Sequence, residues 1–485
     1  MENIKKIGKH IFWIIQLIVS LILTYSVYKL LPLKYLAIVI LILAVLLGLV
    51  IFMQLSSKTN KTVKIDSKVL AIFLSVLMIF VNVKVINKAQ ETINKISNGN
   101  IQTTTVSVLV KKDSAFQKIE DLDGKQFGIM KNIDRENTDF MLNRLNEKFS
   151  NQVSKTEYAS GEEMLQDLLN DKTDAIIMNE GFRDSFNLID KKFESETKVI
   201  YTLDKQKTIE NLKSASVTKE SFIVYISGID TTGPITTTSR SDVNMLMAVN
   251  PVKKKIGLVF IPRDYYVSLQ CHDGVCETGA MDKLTHAGLY GVEVSQATIE
   301  NILGVDINYN IRINFDTLTT MVDALGGIDI NSDQDVNLRN GPRCNIKQGE
   351  NHVDGRCALG FARERYAYNA GDRHRGENQQ EVIRAMINKM TTTNIIKNYE
   401  SILNAVQGMF QTNMKTDEIT ALIQMQINDM AKWDVQSTLV DGKGDMVPTY
   451  SYGSTPLYVM RPYTDSISSA KIFINEIIKQ NEVKK

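Results

Sequence analysis

Apolar and polar positions alternate with three different rhythms along the 485 residues of the chain. Residues 11–31, 35–55 and 69–86 are almost unbroken apolar runs. The first two reach the ~20 residues a helix needs to cross a bilayer, and the third is close to the lower limit. One such run alone would read as a buried core helix or a cleaved signal peptide, but three in succession read as membrane helices. The pattern therefore predicts a membrane region over residues 1–88 and a polar linker over 89–104.

The next stretch, 105–215, changes to short strands and helices in turn. "VSVLV", "QFGIM" and "DAIIM" read as strands, with helices over 139–149 and 161–170. This predicts a small α/β accessory domain. From residue 218 the third rhythm begins. "FIVYISGID", "VNMLMAVN" and "IGLVFIPRD" are β-branched and apolar with turn residues between them, as buried strands are. "VSQATIENILG" and "FDTLTTMVDALGG" are amphipathic; in the latter Leu318, Met321, Val322 and Leu325 share a face and the glycine pair ends the helix. "GIDI" and a cysteine-bearing hairpin region follow. The segment 358–387 reads as a strand and then a helix. A helix pair over 395–432, a strand "STLVDG" and a terminal helix from about Ser466 complete a mixed α/β domain with a central sheet flanked by helices. Its main part spans 218–395 and its C-terminal part 396–485, with no internal repeat or low-complexity tract.

Charge orients the membrane region. Lys5, Lys6 and Lys9 precede the first run, and "SSKTNKTVKIDSK" between the second and third holds Lys58, Lys61, Lys64 and Lys68. The connection near Pro32 offers only Lys29 and Lys34. The positive-inside rule puts the amino terminus and the second loop in the cytoplasm, so everything after about residue 88 faces outward. The formal net charge of +1 argues against bulk nucleic-acid binding.

All four cysteines, Cys271, Cys276, Cys344 and Cys357, fall in the outward part, where disulfides persist. Sequence leaves three pairings open; short spacing favours Cys271 with Cys276 and Cys344 with Cys357. A zinc site is the weaker reading, because the intervals do not form two C-x-x-C knuckles.

The chemistry concentrates in "ALGFARERYAYNAGDRHRGENQQEVIRAMI". Read as a strand, its period of two puts Leu359, Phe361, Arg363 and Arg365 on one face, apolar at the start and cationic at the end, which suits an amphiphilic substrate with its tail along Leu359 and Phe361 and its head group on the arginines. Alone, Leu359 and Phe361 are ordinary core residues and the arginines a solvated edge. The helix after them, read as starting near Gly376, sets Arg375 and Gln379 one turn apart at a terminus whose free N–H groups favour an anion. Arginine forks grip phosphate oxygens in pairs, so the segment describes a phosphate or pyrophosphate cradle. Arg263 and Asp264 end a buried strand, Asp230 follows another, and Arg240 and Asp242 precede a third. Each aspartate by itself reads equally as a turn or cap residue. Together, carboxylates at strand ends beside phosphate suit a hard cation such as magnesium. No G-x-S-x-G is present, and of the five histidines His286 reads as a hydrogen-bonding residue of the fold.

The ordered motifs "ISGIDTTG", "SRSDVNMLMAVNP", "IGLVFIPRDYYV", "DKLTHAGLYG", "INFDTLTTMVDALGGIDI" and "GENHVDGRCALGFARERYAYNAGDRHRGENQQEVI" resemble the LytR-CpsA-Psr family of Gram-positive cell-envelope proteins over about 170 residues. The membrane region and extra outer domain look like the capsule-associated branch. The resemblance implies a phosphotransferase that moves a glycopolymer from a polyprenyl-pyrophosphate carrier to peptidoglycan through a phosphodiester, with the lipid tail in an apolar tunnel. It implies pyrophosphate contacts at Arg263, Arg363, Arg365 and Arg375 with Gln379 beside them, magnesium at Asp230 and Asp242, and an acidic role for Asp372. Asp242, Asp264 and Asp372 stay open as the general base. Many members carry arginine where this chain has Asn378, a departure that either weakens one phosphate contact or is compensated by the neighbouring Arg373. The implied partners are the lipid-linked glycan, the peptidoglycan acceptor, the membrane and wall or capsule biosynthesis proteins, with no nucleic acid. The alternative is a lipid-binding sensor or regulator without transferase activity. "IEDLDGKQFGI" and "EEMLQDLLNDKTDAIIM" in turn resemble one lobe of an extracellular solute-binding protein, which would make the accessory domain a sensor or a spacer.

Overall fold

A computed structural model describes residues 2–56, 61–91, 100–209, 213–229, 235–272, 274–338, 344–369, 371–392 and 410–479. The three apolar runs are helices α1 (Glu2–Tyr28), α2 (Leu33–Ser56) and α3 (Lys61–Val81). All three are long and apolar enough to cross a membrane. Val19, Leu23, Leu43, Val50 and Leu74 form their shared interior, while Leu21, Leu41, Phe52 and Phe73 point outward. A bundle apolar on both sides needs lipid around it. The turn between α1 and α2 touches the distal end of the chain: Gln424 Nε2 donates to Lys29 O at 3.4 Å, and Leu30 packs on Ile419 and Ile423. That turn and the globular part therefore lie on one side of the bundle.

The accessory domain is a five-stranded sheet built from β1 (Ile101–Lys111), β2 (Gln126–Met130), β3 (Ser154–Tyr158), β4 (Ala175–Asn179) and β5 (Thr197–Thr208). The order is β3-β2-β4-β1-β5; β2 runs parallel to β3 and β4, and β1 antiparallel to β4 and β5. Helices α4 (Arg135–Lys148), α5 (Gly161–Leu169) and α6 (Arg183–Ile189) cover it. Three features depart from the sequence reading. Strand β1 begins at Ile101, inside the expected linker. The helix expected at 139 begins at Arg135, whose polar first turn is held by an Arg135–Asp139 ion pair of 2.7 Å. Strands β3 and β5 lie at the two edges, where exposed charged residues hide the apolar alternation that marks a strand.

The second domain has a six-stranded sheet of β6 (Phe222–Ile229), β7 (Ser241–Asn250), β8 (Lys255–Ile261), β9 (Tyr309–Ile313), β12 (Gln411–Thr412) and β13 (Asp434–Leu439), in the order β12-β9-β6-β7-β8-β13. The central three form an antiparallel meander, with β9 and β13 joining in parallel. Alternation splits their side chains between two cores. Ile223, Tyr225, Leu246 and Val259 meet α7 (Val292–Leu303) and α12 (Thr464–Ile478) on one face. Val224, Ile226, Met245 and Leu258 face the opposite way, toward Ile383 and Ile387 of α10 (Asp372–Met390) and Leu422 of α11 (Thr416–Asp429). A third core joins α8 (Phe315–Ala324), β10 (Ile328–Ser332), β11 (Gly349–Val353) and α9 (Gly355–Arg363). The first helix of the expected 395–432 pair lies largely outside the described residues; the second is α11. A hairpin of β14 (Gly442–Thr449) and β15 (Gly453–Pro462) precedes α12 and was not legible beforehand. Both short-range disulfides, Cys271–Cys276 and Cys344–Cys357, are present.

Two sequence expectations fail in the segment that matters most. Residues 358–363 are helical, not extended. Asp354 caps α9 by accepting from Cys357 N at 2.8 Å, and Ala358, Phe361 and Ala362 are buried at helical spacing. The run "ALGFAR" satisfies periods of 2 and 3.6 alike, and the cap decides. Second, α10 begins at Asp372, four residues before Gly376, because the charged "DRHR" is already its first turn.

The two domains share an interior. Met164, Leu165, Phe182 and Phe186 of the accessory domain pack with Leu269, Val275, Leu289 and Tyr290 of the second. Backbone bonds from Thr103 N to Thr236 O (2.8 Å) and from Thr238 N to Thr103 O (2.9 Å) stitch the seam.

Helix α10 reaches the sheet closely only because residue 376 has no side chain: a Cβ there would lie 2.5 Å from the Phe260 ring. Gly376→Ala is expected to destabilise the chain by about 1–3 kcal/mol, as overpacking in a core does. A lowered unfolding temperature of the detergent-solubilised protein is the readout, and an unchanged one contradicts the packing.

Candidate pyrophosphate site at the mouth of an apolar cavity

Between the β6, β7 and β9 strands and helices α8, α9 and α10 the packing leaves a cavity, with about 600 Å³ of unfilled space including solvent at its mouth. Its walls are apolar: Ile226, Met245, Ile313, Leu318, Leu359 and Ile383. Asp242, Asn314, Arg363 and Gln379 are its polar lining. The helical form of α9 explains which residues face in. Leu359 and Arg363 are one turn apart and both line the cavity, whereas Phe361 turns into the third core and is 1% exposed. Phe361, expected beside the substrate, is thus a packing residue.

Four chain segments deliver the charged groups. The start of β7 supplies Asp242, whose Oδ1 accepts from Thr285 Oγ1 at 3.0 Å and pairs with Arg263 Nη1 at 3.1 Å. Arg263 follows β8, and its backbone oxygen accepts from Thr285 N at 2.8 Å. The end of α9 supplies Arg363, stacked 4.2 Å from the Phe315 ring centroid. Arg365 follows on a loop that the buried Glu364 carboxylate shapes by accepting from Tyr366 N (2.7 Å) and Ala367 N (3.1 Å). Its guanidinium donates to the Tyr366 hydroxyl at 2.7 Å. The first two turns of α10 supply Asp372, Arg375 and Gln379.

The polar atoms here are only partly satisfied. Among the described residues Arg263 Nε, Arg375 Nε and Nη2, and Gln379 Oε1 are buried without a hydrogen-bond partner. Arg375 Nη2 is 2.7 Å from Asp372 Oδ1, but without the alignment of a hydrogen bond. Native interiors leave few such atoms, so a group of donors among them at one place suits an anionic ligand. The electrostatics agree. Burial, helped by the neighbouring charges of Arg263 and Arg365, lowers the pKa of Arg375 against the pull of Asp372 and Asp242. Burial works in the same direction on Arg263, but Asp242, Asp264 and Asp372 outweigh it and raise its pKa. The buried Arg375 guanidinium thus lies among like charges from Arg263 and Arg365 in a desolvated space, which is where an anionic ligand interacts most strongly.

The remaining expected residues divide clearly. Arg240 pairs with Asp184 of the accessory domain at 2.8 Å and belongs to the domain seam. Arg373 is engaged by Asp441 at 3.0 Å, so it does not take up the position that Asn378 leaves. Asn378 is buried and donates to Phe361 O (3.0 Å) and the Tyr368 hydroxyl (3.2 Å), bracing α10 against α9. Asp264 forms an ion pair with Lys283. His286 hydrogen-bonds Asp282 at 2.5 Å inside the fold, as expected. Asp230 lies outside the described residues. Among the described residues no group of three or more His, Cys, Asp or Glu side chains forms a metal cage. Asp242, with Oδ1 engaged and placed at the cavity mouth, fits a single-carboxylate ligand of the kind magnesium uses with substrate oxygens. Thr285 and Glu364, which position the charged groups, were not singled out in the sequence. Thr285 sits in "DKLTHAGLYG", and Glu364 was hidden between two arginines.

The chain matches a model described as the LytR_cpsA_psr family over residues 187–460, and one described as NMT1/THI5 like over residues 81–203. A relative from Enterococcus faecalis is 33% identical over 251 residues, covering 50% of this chain and 79% of the relative. One from Bacillus cereus is 32% identical over 219 residues, covering 45% and 68%. Both are named "Polyisoprenyl-teichoic acid--peptidoglycan teichoic acid transferase TagU". Among solved structures, B. subtilis TagU shares 25% identity, covers 55% of this chain and 100% of that one, and gives a TM-score of 0.42.

If the arginines form one anion site, inorganic pyrophosphate binds the full-length protein and Arg263→Ala or Arg375→Ala weakens it roughly tenfold or more. That loss corresponds to one charge-assisted hydrogen bond of ~1.5–3 kcal/mol. Arg240→Ala leaves binding within about twofold, since exposed ion pairs contribute little. Titration calorimetry distinguishes these, and equal losses in all three variants contradict the geometry.

Proposed function

The chain belongs to the LytR_cpsA_psr family, and we propose that it transfers a glycopolymer of teichoic-acid or capsular type from a polyprenyl-pyrophosphate carrier to peptidoglycan. The observation that carries the reading is the set of buried guanidinium atoms, without hydrogen-bond partners among the described residues, at the entrance of an apolar cavity. An amphiphile with a long hydrocarbon tail and a doubly phosphorylated head satisfies both halves. The tail lies along Leu359, Ile313 and Ile383, and the phosphates meet Arg263, Arg363, Arg365 and Arg375, with Gln379 beside them.

In the reaction, a sugar hydroxyl of peptidoglycan attacks the phosphorus that bears the glycan. Its bond to the bridging oxygen breaks, polyprenyl phosphate leaves, and a phosphodiester joins glycan to wall. Phosphoryl transfer requires chiefly alignment and relief of charge on the phosphate oxygens. Fixed arginines perform the second task without reorganising. Asp242, with Asp230, would hold a magnesium ion, which when bound supplies further neutralisation of the phosphate oxygens. The domain would stand on the extracytoplasmic face. The lysine-poor turn that touches α11 supports this, because the lysine-rich ends of the bundle lie at its other side.

The test is transfer from a polyprenyl-pyrophosphate glycan to a peptidoglycan fragment by the reconstituted protein. Arg375→Ala is expected to lower the rate by about a hundred- to thousandfold, the usual loss for one charge-stabilising donor. Chelation of divalent ions is expected to slow it as well. Full activity of the variant refutes the site, and an unaffected rate under chelation refutes the metal role.

A further inference from the structure

A second cavity lies in the accessory domain, closed on one side by the catalytic domain. It offers about 420 Å³ of unfilled space, solvent included, and is lined by Met164, Phe186 and Ile189 among apolar groups and by Asp134, Asn179 and Ser185. Ser451, from the catalytic domain, completes the wall. Asp134, Asn179 and Ser185 are 4%, 3% and 2% exposed, and each presents an atom with no hydrogen-bond partner among the described residues: Asp134 Oδ2, Asn179 Nδ2 and Ser185 Oγ.

Asp134 is the unusual member. It precedes α4 at φ 55°, in the left-handed region that non-glycine residues rarely occupy and that tends to be kept where function needs it. Asp134 Oδ1 accepts from Asn137 Nδ2 at 2.5 Å. Among the described residues no salt bridge engages it: the nearby Lys205 is paired with Glu136. Asn179 approaches closely enough to weigh on the carboxylate, yet outside hydrogen-bond geometry. The Tyr452 hydroxyl faces Ser185 in the same unconsummated way. A buried carboxylate without a counter-charge is costly, and a ligand that brings one removes the cost.

We propose that this cavity binds a small amino alcohol: a primary ammonium on Asp134, an adjacent oxygen accepting from Asn179 and Ser185, and a short apolar body against Met164 and Phe186. A cation leaves the site neutral, whereas a zwitterion leaves Asp134 unbalanced by a carboxylate, so amino acids are the poorer fit. Because Ser451 borders the cavity and the Tyr450 hydroxyl donates to Asn132 O at 2.6 Å, the ligand would touch the seam between the domains.

Burial pushes the Asp134 carboxyl up to about 7. The groups that bear on it are Asn137 and Glu136 from α4, Lys205 from β5, Asn179 from β4, and Tyr290 and Tyr450 from the catalytic domain. An ammonium binds the ionised form, so affinity is full above that value and is lost as pH falls, about tenfold per unit.

The experiment uses the full chain in detergent and 2-amino-1-butanol as probe, followed by ligand-observed NMR. Saturable binding at pH 8, about tenfold weaker at pH 6, is expected, with 1-butanol failing to compete. Asp134→Asn keeps the left-handed backbone, which asparagine tolerates, and is expected to abolish binding while leaving the unfolding temperature unchanged or higher. Ser185→Ala is expected to weaken it severalfold. Absence of saturable binding, undiminished binding in Asp134→Asn, or equal competition by the alcohol overturns the proposal.

Discussion

Desolvated positive charge governs the architecture of the catalytic domain. Guanidinium groups are not placed in an apolar interior without strong support, because each loses its hydration and repels the others. Here the support is mechanical and electrostatic together. The close approach of α10 to β8 at Gly376 carries Arg375 inward, the Glu364 carboxylate folds the loop that bears Arg365, and Asp242, Asp264 and Asp372 offset part of the charge. The remainder is what a phosphate head group would neutralise.

The cavity behind these groups exists for a related reason. The sheet face that receives α10 presents Ile226 and Met245, but α8 and α9 stand off from it. An unfilled apolar space directly behind buried guanidinium atoms that lack hydrogen-bond partners among the described residues is an arrangement with two demands, and a lipid phosphate would answer both.

Much of this was legible in the sequence. The buried strands, the amphipathic helices, both cysteine pairs and the residues Arg263, Arg363, Arg365, Arg375 and Asp242 could be named before any coordinates. What escaped did so for physical reasons. "ALGFAR" fits two periodicities, and only the Asp354 cap resolves them, which sent Phe361 to the wrong side. Polar edge strands such as β3 bury too little to leave a pattern. Arg240 and Arg373 carry the same charge as the site arginines but are claimed by Asp184 and Asp441, partners far away in sequence. Asn378 looked like a weakened contact and is a brace between helices.

The merged interior of the two outer domains limits how the molecule can be inherited. Phe182 stands edge-on to Tyr290, 5.7 Å between ring centroids, with one ring from each domain. Changing either alone opens a hole or forces a clash in a core that both domains need. Substitutions along this join should therefore arrive in matched pairs. A descendant that discarded the lobe would have to recast Leu269, Val275 and Leu289 as a water-facing surface.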